Sequence, residues 1–89
     1  MFMDSVQTTR AELALVDERT GLFASPPDGL LAAIAWEGST DEEVTVLMVW
    51  DTPGARGDFS VRMMPHVEAG DVTSKPTILT PHKVYLRNR

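Results

Sequence analysis

The sequence contains no cysteine, which excludes disulfide bonds, thiolate catalysis and zinc sites built on cysteine. Basic residues are few: eight lysines and arginines stand against thirteen aspartates and glutamates, for a formal net charge of −5. No run rich in lysine or arginine occurs, so we expect no nucleic-acid partner. No apolar run is long enough to span a bilayer, and the first residues lack the pattern of a signal peptide. We therefore expect a cytoplasmic protein with no membrane partner.

The remaining composition is that of a globular protein, with 43% hydrophobic and 24% charged residues. A chain of 89 residues is within the size of one domain, and we predict a single domain over residues 1–89.

Two apolar runs dominate the middle of the chain, Leu30–Trp36 and Val44–Trp50, and a polar loop separates them. Their β-branched and aromatic residues predict two antiparallel strands joined by a turn. Apolar residues occupy both faces of this hairpin, whereas a sheet with one solvated face shows apolar and polar residues in alternation. Helices of the same chain can cover one face. We predict a homodimer in which a second subunit covers the other, the alternative being that one chain wraps both faces.

A first helix is predicted over residues 8–20. Thr9 and Glu12 have the spacing of a capping box, in which Thr9 accepts from the backbone near Glu12 and the Glu12 carboxylate reaches back. Gly21 can supply the left-handed residue that ends the helix.

A second helix is predicted after the hairpin, with Asp51 or Thr52 as its N-cap and Pro53 in its first turn. Two glycines weaken the first turns, so we expect regular helix only from about Asp58. Pro65 should bend or end the helix, because its ring clashes with the preceding turn.

A last strand is predicted over Ile78–Arg87, and Pro81 places it at a sheet edge or a bulge because proline has no N–H to donate. The predicted order is then helix, strand, strand, helix, strand. One more strand at the start would complete a ferredoxin-like βαββαβ unit.

The segments PPDGLLAAIAWEG, VTVLMVWDTPGARGDF and MMPHVEAG resemble the antibiotic-biosynthesis-monooxygenase-like family of dimeric α/β-barrel proteins. The resemblance covers about residues 8–87 and implies an α+β, ferredoxin-like fold with two sheets paired face to face in a homodimer. Where the family has a full first strand, this chain has only Met1–Gln7, so we expect that strand to be short or missing. The landmarks are Pro27-Asp28-Gly29-Leu30, Val49-Trp50-Asp51, Phe59 and Pro65.

The family includes cofactor-independent oxygenases of polycyclic phenols and haem-degrading enzymes. The haem branch has an asparagine on its first strand and a tryptophan and a histidine along its second helix. This sequence has no asparagine before Asn88, Arg62 stands where that tryptophan would fall, and His66 comes too early. The resemblance thus implies a cofactor-independent monooxygenase or related enzyme acting on a hydrophobic aromatic ligand. The alternative is a non-catalytic homodimeric binding or structural protein.

His66 is the candidate catalytic residue, because it follows Pro65 on the second helix and could face a cavity between helix and sheet as a base or a ligand. The alternative is an ordinary histidine at a helix end. Neither histidine has a carboxylate at a spacing that suggests a metal site, so no metal is predicted. An enzyme needs an open cavity beside His66, whereas a structural protein has a filled interior.

Aromatic residues supply the candidate ligand site. Trp36 and Trp50 end the two strands and could be cross-strand neighbours that form a wall for a flat ligand. The alternative is packing in the core or at the dimer interface. Phe59, His82 and Tyr85 complete the predicted ligand-binding set.

Overall fold

The computed structural model describes residues 1–38, 40, 42–80, 82, 83 and 85. The four strands form one antiparallel sheet in the order β2-β3-β1-β4, which confirms the predicted ferredoxin-like α+β fold. The elements in chain order are β1 (Phe2–Thr9), α1 (Arg10–Thr20), β2 (Leu30–Glu37), β3 (Glu43–Trp50), α2 (Pro53–Glu68) and β4 (Thr77–Leu79).

The prediction of a short or missing first strand is wrong. β1 has eight residues and lies inside the sheet, paired with β3 on one side and with β4 on the other. Asp4, Ser5 and Gln7 give it a low intrinsic preference for strand. Pairing on both sides overrides that preference, because strand formation depends more on neighbours than on propensity.

The predicted capping residues of the first helix are confirmed. The Thr9 hydroxyl accepts from the backbone N–H of Glu12 at 3.1 Å, and Gly21 adopts a left-handed φ of 70° after the last turn. The helix starts at Arg10 rather than at Thr8, because Thr8 and Thr9 continue the ladder of β1. The Glu12 carboxylate does not complete the capping box and accepts hydrogen bonds from other groups, described below.

α2 has a predicted N-cap, but it is regular from its first turn and ends later than predicted. Thr52 caps it by accepting from Ala55 N–H at 3.1 Å, so regular helix starts at the N-cap and not near Asp58. Pro65 does not end the helix, which runs over Pro53–Glu68. Pro65 is exposed, so water can reach the carbonyl that loses its partner. Neither helix in the described part of the chain is long and apolar enough to cross a bilayer.

Both helices pack on one face of the sheet. Alternate residues of β3 point to that face and are buried, and the Trp50 ring lies 5.5 Å from the Phe59 ring of α2. The opposite face carries Leu47 of β3 with Ile34 of β2 paired beside it, and Ile34 is 53% exposed. Neither helix covers this second apolar face.

The last strand is shorter than predicted. β4 is confined to Thr77–Leu79, which pair with Met3–Ser5 of β1. His82, Lys83 and Tyr85 lie outside any strand. The other positions predicted for this strand beyond Thr80 lie outside the described residues.

Candidate functional site

A cavity of about 230 Å³ lies between the helix-covered face of the sheet, α1, α2 and residues 71–76, which we call the strap. The strap leads from α2 to β4. Most of the wall is apolar, which is typical of sites for small organic molecules. The apolar lining residues are Val6, Leu13, Val16, Leu22, Val46, Met48, Phe59, Met63, Met64, Val67, Val72 and Pro76.

A buried ion pair lies beside the cavity where β1 begins. Asp4 of β1 is 1% exposed and accepts from Trp50 Nε1 at 3.1 Å and from Arg56 Nε at 2.6 Å. Arg56 also donates from Nη1 to the Ser60 hydroxyl one turn further along α2, and that hydroxyl donates to the Arg56 carbonyl at 3.2 Å. Arg56 and Ser60 line the cavity, so its wall includes an anchored guanidinium group.

Glu12 of α1 forms a second polar region of the wall. Its carboxylate accepts from Thr73 N–H at 2.6 Å, from Thr73 Oγ1 at 3.2 Å, and from the hydroxyls of Thr8 and Ser74. Partial burial raises the pKa of Glu12, but the hydrogen bonds from Ser74, Thr73 and Thr8 together outweigh it and lower the pKa to about 2. The carboxylate is therefore ionised at neutral pH and ties the strap to α1.

The two polar regions are separated along the sheet. Asp4 and Thr8 point to the same face of β1 and are four residues apart, or about 13 Å at the usual strand rise. Val6 lies between them on that face and lines the cavity. A ligand that spans the cavity would therefore meet an apolar floor with a cationic group towards one end and an anionic group towards the other.

Replacing Glu12 by glutamine should loosen the strap. Because the folded-state pKa of about 2 is below the unfolded value, the carboxylate stabilises the fold fully above about pH 5, and this contribution is lost as the pH falls towards 2. We expect Glu12→Gln to lower the free energy of unfolding by about 1 kcal/mol at pH 7, a modest value because the carboxylate is partly solvated. The difference should fall to about half by pH 3.

Urea unfolding of both proteins between pH 7 and pH 3 measures this difference. Glu18→Gln is the matched control, since Glu18 is exposed on the same helix, and it should leave stability unchanged. If the loss of unfolding free energy in Glu12→Gln did not shrink with falling pH, the ionised Glu12 carboxylate would not be what holds the strap.

The structure separates the two tryptophans that the sequence analysis placed together. Trp36 pairs with Thr45, whereas Trp50 pairs with Leu30 at the other end of the hairpin, so the prediction that they are cross-strand neighbours is wrong. Residues opposite each other in a hairpin are equally far from its turn, and Trp36 is close to the turn while Trp50 is not. Trp50 is fully buried and lies behind Phe59, which itself lines the cavity.

The other predicted site residues lie away from the cavity wall. His66 is half-buried on α2 and is not among the described residues that line the cavity, although Met63 and Val67 on either side of it are. His82 is exposed, and Tyr85 is 79% exposed. Trp36 borders a separate open hollow between α1 and β2. The described residues include no group of three side chains that could hold a metal ion.

Sequence reasoning missed the polar residues of the cavity. One signal was available for Asp4, which lies between Phe2 and Val6 on the same strand face and so occupies an inward position between two apolar residues. A carboxylate at such a position needs a buried partner. Arg56 and Ser60 are four residues apart, the spacing of neighbours on a helix, but that spacing is too common to indicate a site.

Comparison with known proteins establishes the fold. No protein-family model and no curated protein matches the chain. One similar solved structure is that of a proposed antibiotic biosynthesis monooxygenase from Deinococcus radiodurans, with a TM-score of 0.62 and 14% identity over 100% of both chains. Another is SnoaB, a cofactor-independent oxygenase from Streptomyces nogalater, with a TM-score of 0.60 and 20% identity over 93% of each chain. These matches confirm the fold predicted from the resemblance.

Proposed function

From a fold shared with a cofactor-independent oxygenase, we propose that this protein is a small monooxygenase-like enzyme that binds a hydrophobic aromatic ligand and uses no cofactor. The observation that carries the proposal is the cavity of about 230 Å³ between the helices and the sheet, with its mainly apolar wall. A flat aromatic ring can bury its faces against Val46, Phe59 and Met63, which supplies binding energy without specific polar contacts.

An oxygenase without a cofactor must take electrons from the substrate. A phenol suits this chemistry, because loss of its proton gives an electron-rich phenolate that O2 can oxidise. One oxygen atom of O2 then bonds to a ring carbon as that carbon loses its hydrogen. The other oxygen leaves as water, and the phenol becomes a quinone. The protein would contribute a dry pocket that orients the ring and stabilises the anion.

A non-catalytic binding protein is the second candidate, and the acid–base character of the cavity favours it. Among the described residues on the wall, Glu12 and Arg56 carry charge. Glu12 is a poor base because its pKa is lowered to about 2, and Arg56 is paired with Asp4. The role of His66 as the base stays a prediction, because none of these observations tests it. His66 is not among the described residues on the wall, which gives the role no support.

The proposal includes a homodimer and a cytoplasmic location. The apolar sheet face that carries Ile34 and Leu47, which neither helix covers, supports association with a second copy. The cytoplasmic location continues the expectation drawn from the sequence.

Oxygen uptake tests the proposed reaction. The purified protein is mixed with one- and two-ring phenols such as 1-naphthol under ¹⁸O2, and oxygen uptake and product mass are measured. We expect uptake with one ¹⁸O atom in the product, and Met63→Trp, which fills the cavity, should abolish it. Val61→Trp is the matched control, since Val61 is 71% exposed on α2 and does not line the cavity.

The outcomes test both candidates. Binding of phenols without oxygen uptake would support the non-catalytic binding protein, and failure of every phenol to bind would contradict both. Unchanged uptake in His66→Ala would overturn the catalytic role of His66 while leaving the cavity assignment intact.

A further inference from the structure

The hydrogen bonds that hold Arg56 leave part of its guanidinium group unused. A guanidinium group has five N–H donors. Nε is directed to Asp4 and Nη1 to Ser60, and the structure gives Nη2 no protein acceptor among the described residues. No buried side-chain nitrogen or oxygen in the described part of the chain lacks a partner, so Nη2 is not fully buried. Because Arg56 also lines the cavity, Nη2 is the donor that a ligand there would meet.

Arg56 is fixed in place before any ligand binds. Asp4 is 1% exposed and is itself held by Trp50, so the Nε edge of the guanidinium cannot swing away. The Arg56 side chain is 16% exposed, and hydrogen bonds from a charged donor are stronger in such surroundings than in water. A prepositioned cationic donor of this kind favours an anionic oxygen atom.

Glu12 has no free acceptor with which to bind a cationic ligand. Its carboxylate already accepts four hydrogen bonds, from Thr8, Ser74 and two groups of Thr73, which fill the usual capacity of a carboxylate. Its negative charge repels an anion, so an anionic group should turn towards Arg56.

The volume of the cavity suits a ligand of one or two rings. An apolar cavity of about 150 Å³ holds benzene, whereas sites for drug-sized ligands begin at about 300 Å³. The cavity here is about 230 Å³, between these two values. A flat molecule of three or four fused rings would exceed this volume, so part of it would extend out of the cavity and lose contact with the wall.

We propose that the cavity binds a one- or two-ring aromatic anion, a phenolate or a carboxylate, whose charged oxygen accepts hydrogen bonds from Arg56 beside Ser60. The inference rests on the proposed function in using the same cavity as the ligand site, but it does not require oxygen chemistry. Asp4 is then a positioning residue, since it acts through Arg56. Ser60 helps to orient the Nη1 side of the guanidinium.

Calorimetric titration of the full chain with matched naphthalene probes tests the proposal. We expect 2-naphthoate to bind about tenfold more tightly than neutral 2-naphthamide, as a charge-assisted hydrogen bond predicts. Arg56→Lys should remove this preference and leave 2-naphthamide binding within about twofold. Arg62→Lys is the control, because Arg62 is exposed on the same helix and outside the cavity, and it should change neither affinity.

A second variant and a spectroscopic signal test the anion site even if Arg56→Lys fails to fold. Ser60→Ala leaves the Asp4–Arg56 pair in place. It should weaken the binding of 2-naphthoate by about threefold without affecting the binding of 2-naphthamide. In ¹⁵N spectra of the parent protein, 2-naphthoate should shift the Arg56 side-chain N–H signal and not that of Arg62.

Several outcomes would overturn the anion site, and they can be distinguished from failure of the proposed oxygenase reaction. Equal affinity for the two probes, or an unshifted Arg56 signal, would overturn the anion site. Equally tight binding of pyrene-1-carboxylate would overturn the size limit. Arg56-dependent binding of 2-naphthoate in a protein that consumes no oxygen with any phenol would uphold this inference and contradict the oxygenase. Failure of every probe would contradict both.

Discussion

Replacing Asp4 by alanine should lower the free energy of unfolding by about 3–5 kcal/mol, the usual result of removing one partner of a buried ion pair. The variant leaves the Arg56 guanidinium with no counter-charge in a site where its side chain is 16% exposed. It also leaves Trp50 Nε1–H, in a fully buried residue, without its acceptor. Urea unfolding at pH 7 followed by circular dichroism measures the loss.

Comparison with other variants separates the charge effect from simple truncation. Asp58→Ala makes the same chemical change on the exposed side of α2 and should alter stability by less than about 0.5 kcal/mol. Asp4→Ala combined with Arg56→Met should be more stable than Asp4→Ala alone, because the unpaired charge is gone. Should Asp4→Ala fail to fold, Asp4→Asn keeps the shape and an acceptor. A double variant no more stable than the single one would contradict this account.

A charge placed on the uncovered face of the sheet should separate the proposed dimer into monomers. Ile34 and Leu47 are cross-strand partners on that face, and Ile34 is 53% exposed in the single chain. If two sheets pair face to face, Ile34→Asp buries an unpaired carboxylate in the interface. We expect the dissociation constant to rise at least about a hundredfold, which corresponds to about 2.7 kcal/mol.

Native mass spectrometry and sedimentation measure the subunit count of both proteins at matched concentrations. Val61→Asp is the control, because Val61 is exposed on α2, on the other side of the sheet, and its substitution should leave the dimer intact. A parent protein that is monomeric at micromolar concentration would overturn the homodimer. An Ile34→Asp protein that remains dimeric would place the interface elsewhere.

Signals within a few residues of each other were sufficient for much of the fold. The two apolar runs predicted the β2–β3 hairpin, because strand preference is set by residue types that are adjacent in the sequence. Thr9 and Gly21 predicted the ends of α1, and Thr52 with Pro53 predicted the start of α2, because capping satisfies backbone groups of the same turn.

Predictions failed where distant partners or solvent decide the outcome. β1 contains polar residues that do not favour a strand, and β3 and β4 hold it in the sheet through hydrogen bonds from both sides. Pro65 is a helix breaker by sequence, yet α2 continues because that position faces solvent. The two tryptophans of the predicted site are apart for a related reason. Trp36 and Trp50 each lie near the end of an apolar strand, and only the register of the hairpin shows that they are far from each other.

The sequence by itself determined the order of the helices and the last three strands, the two apolar faces of the hairpin, and the resemblance from which the fold followed. The cavity was decided only by the tertiary structure. Asp4 and Arg56 are 52 positions apart, and Glu12 and Ser74 are 62 apart. No spacing rule connects residues at such distances. Their meeting depends on the central position of β1 in the sheet and on the packing of both helices against one face, which create the buried surroundings that give an ordinary aspartate, arginine and glutamate their roles.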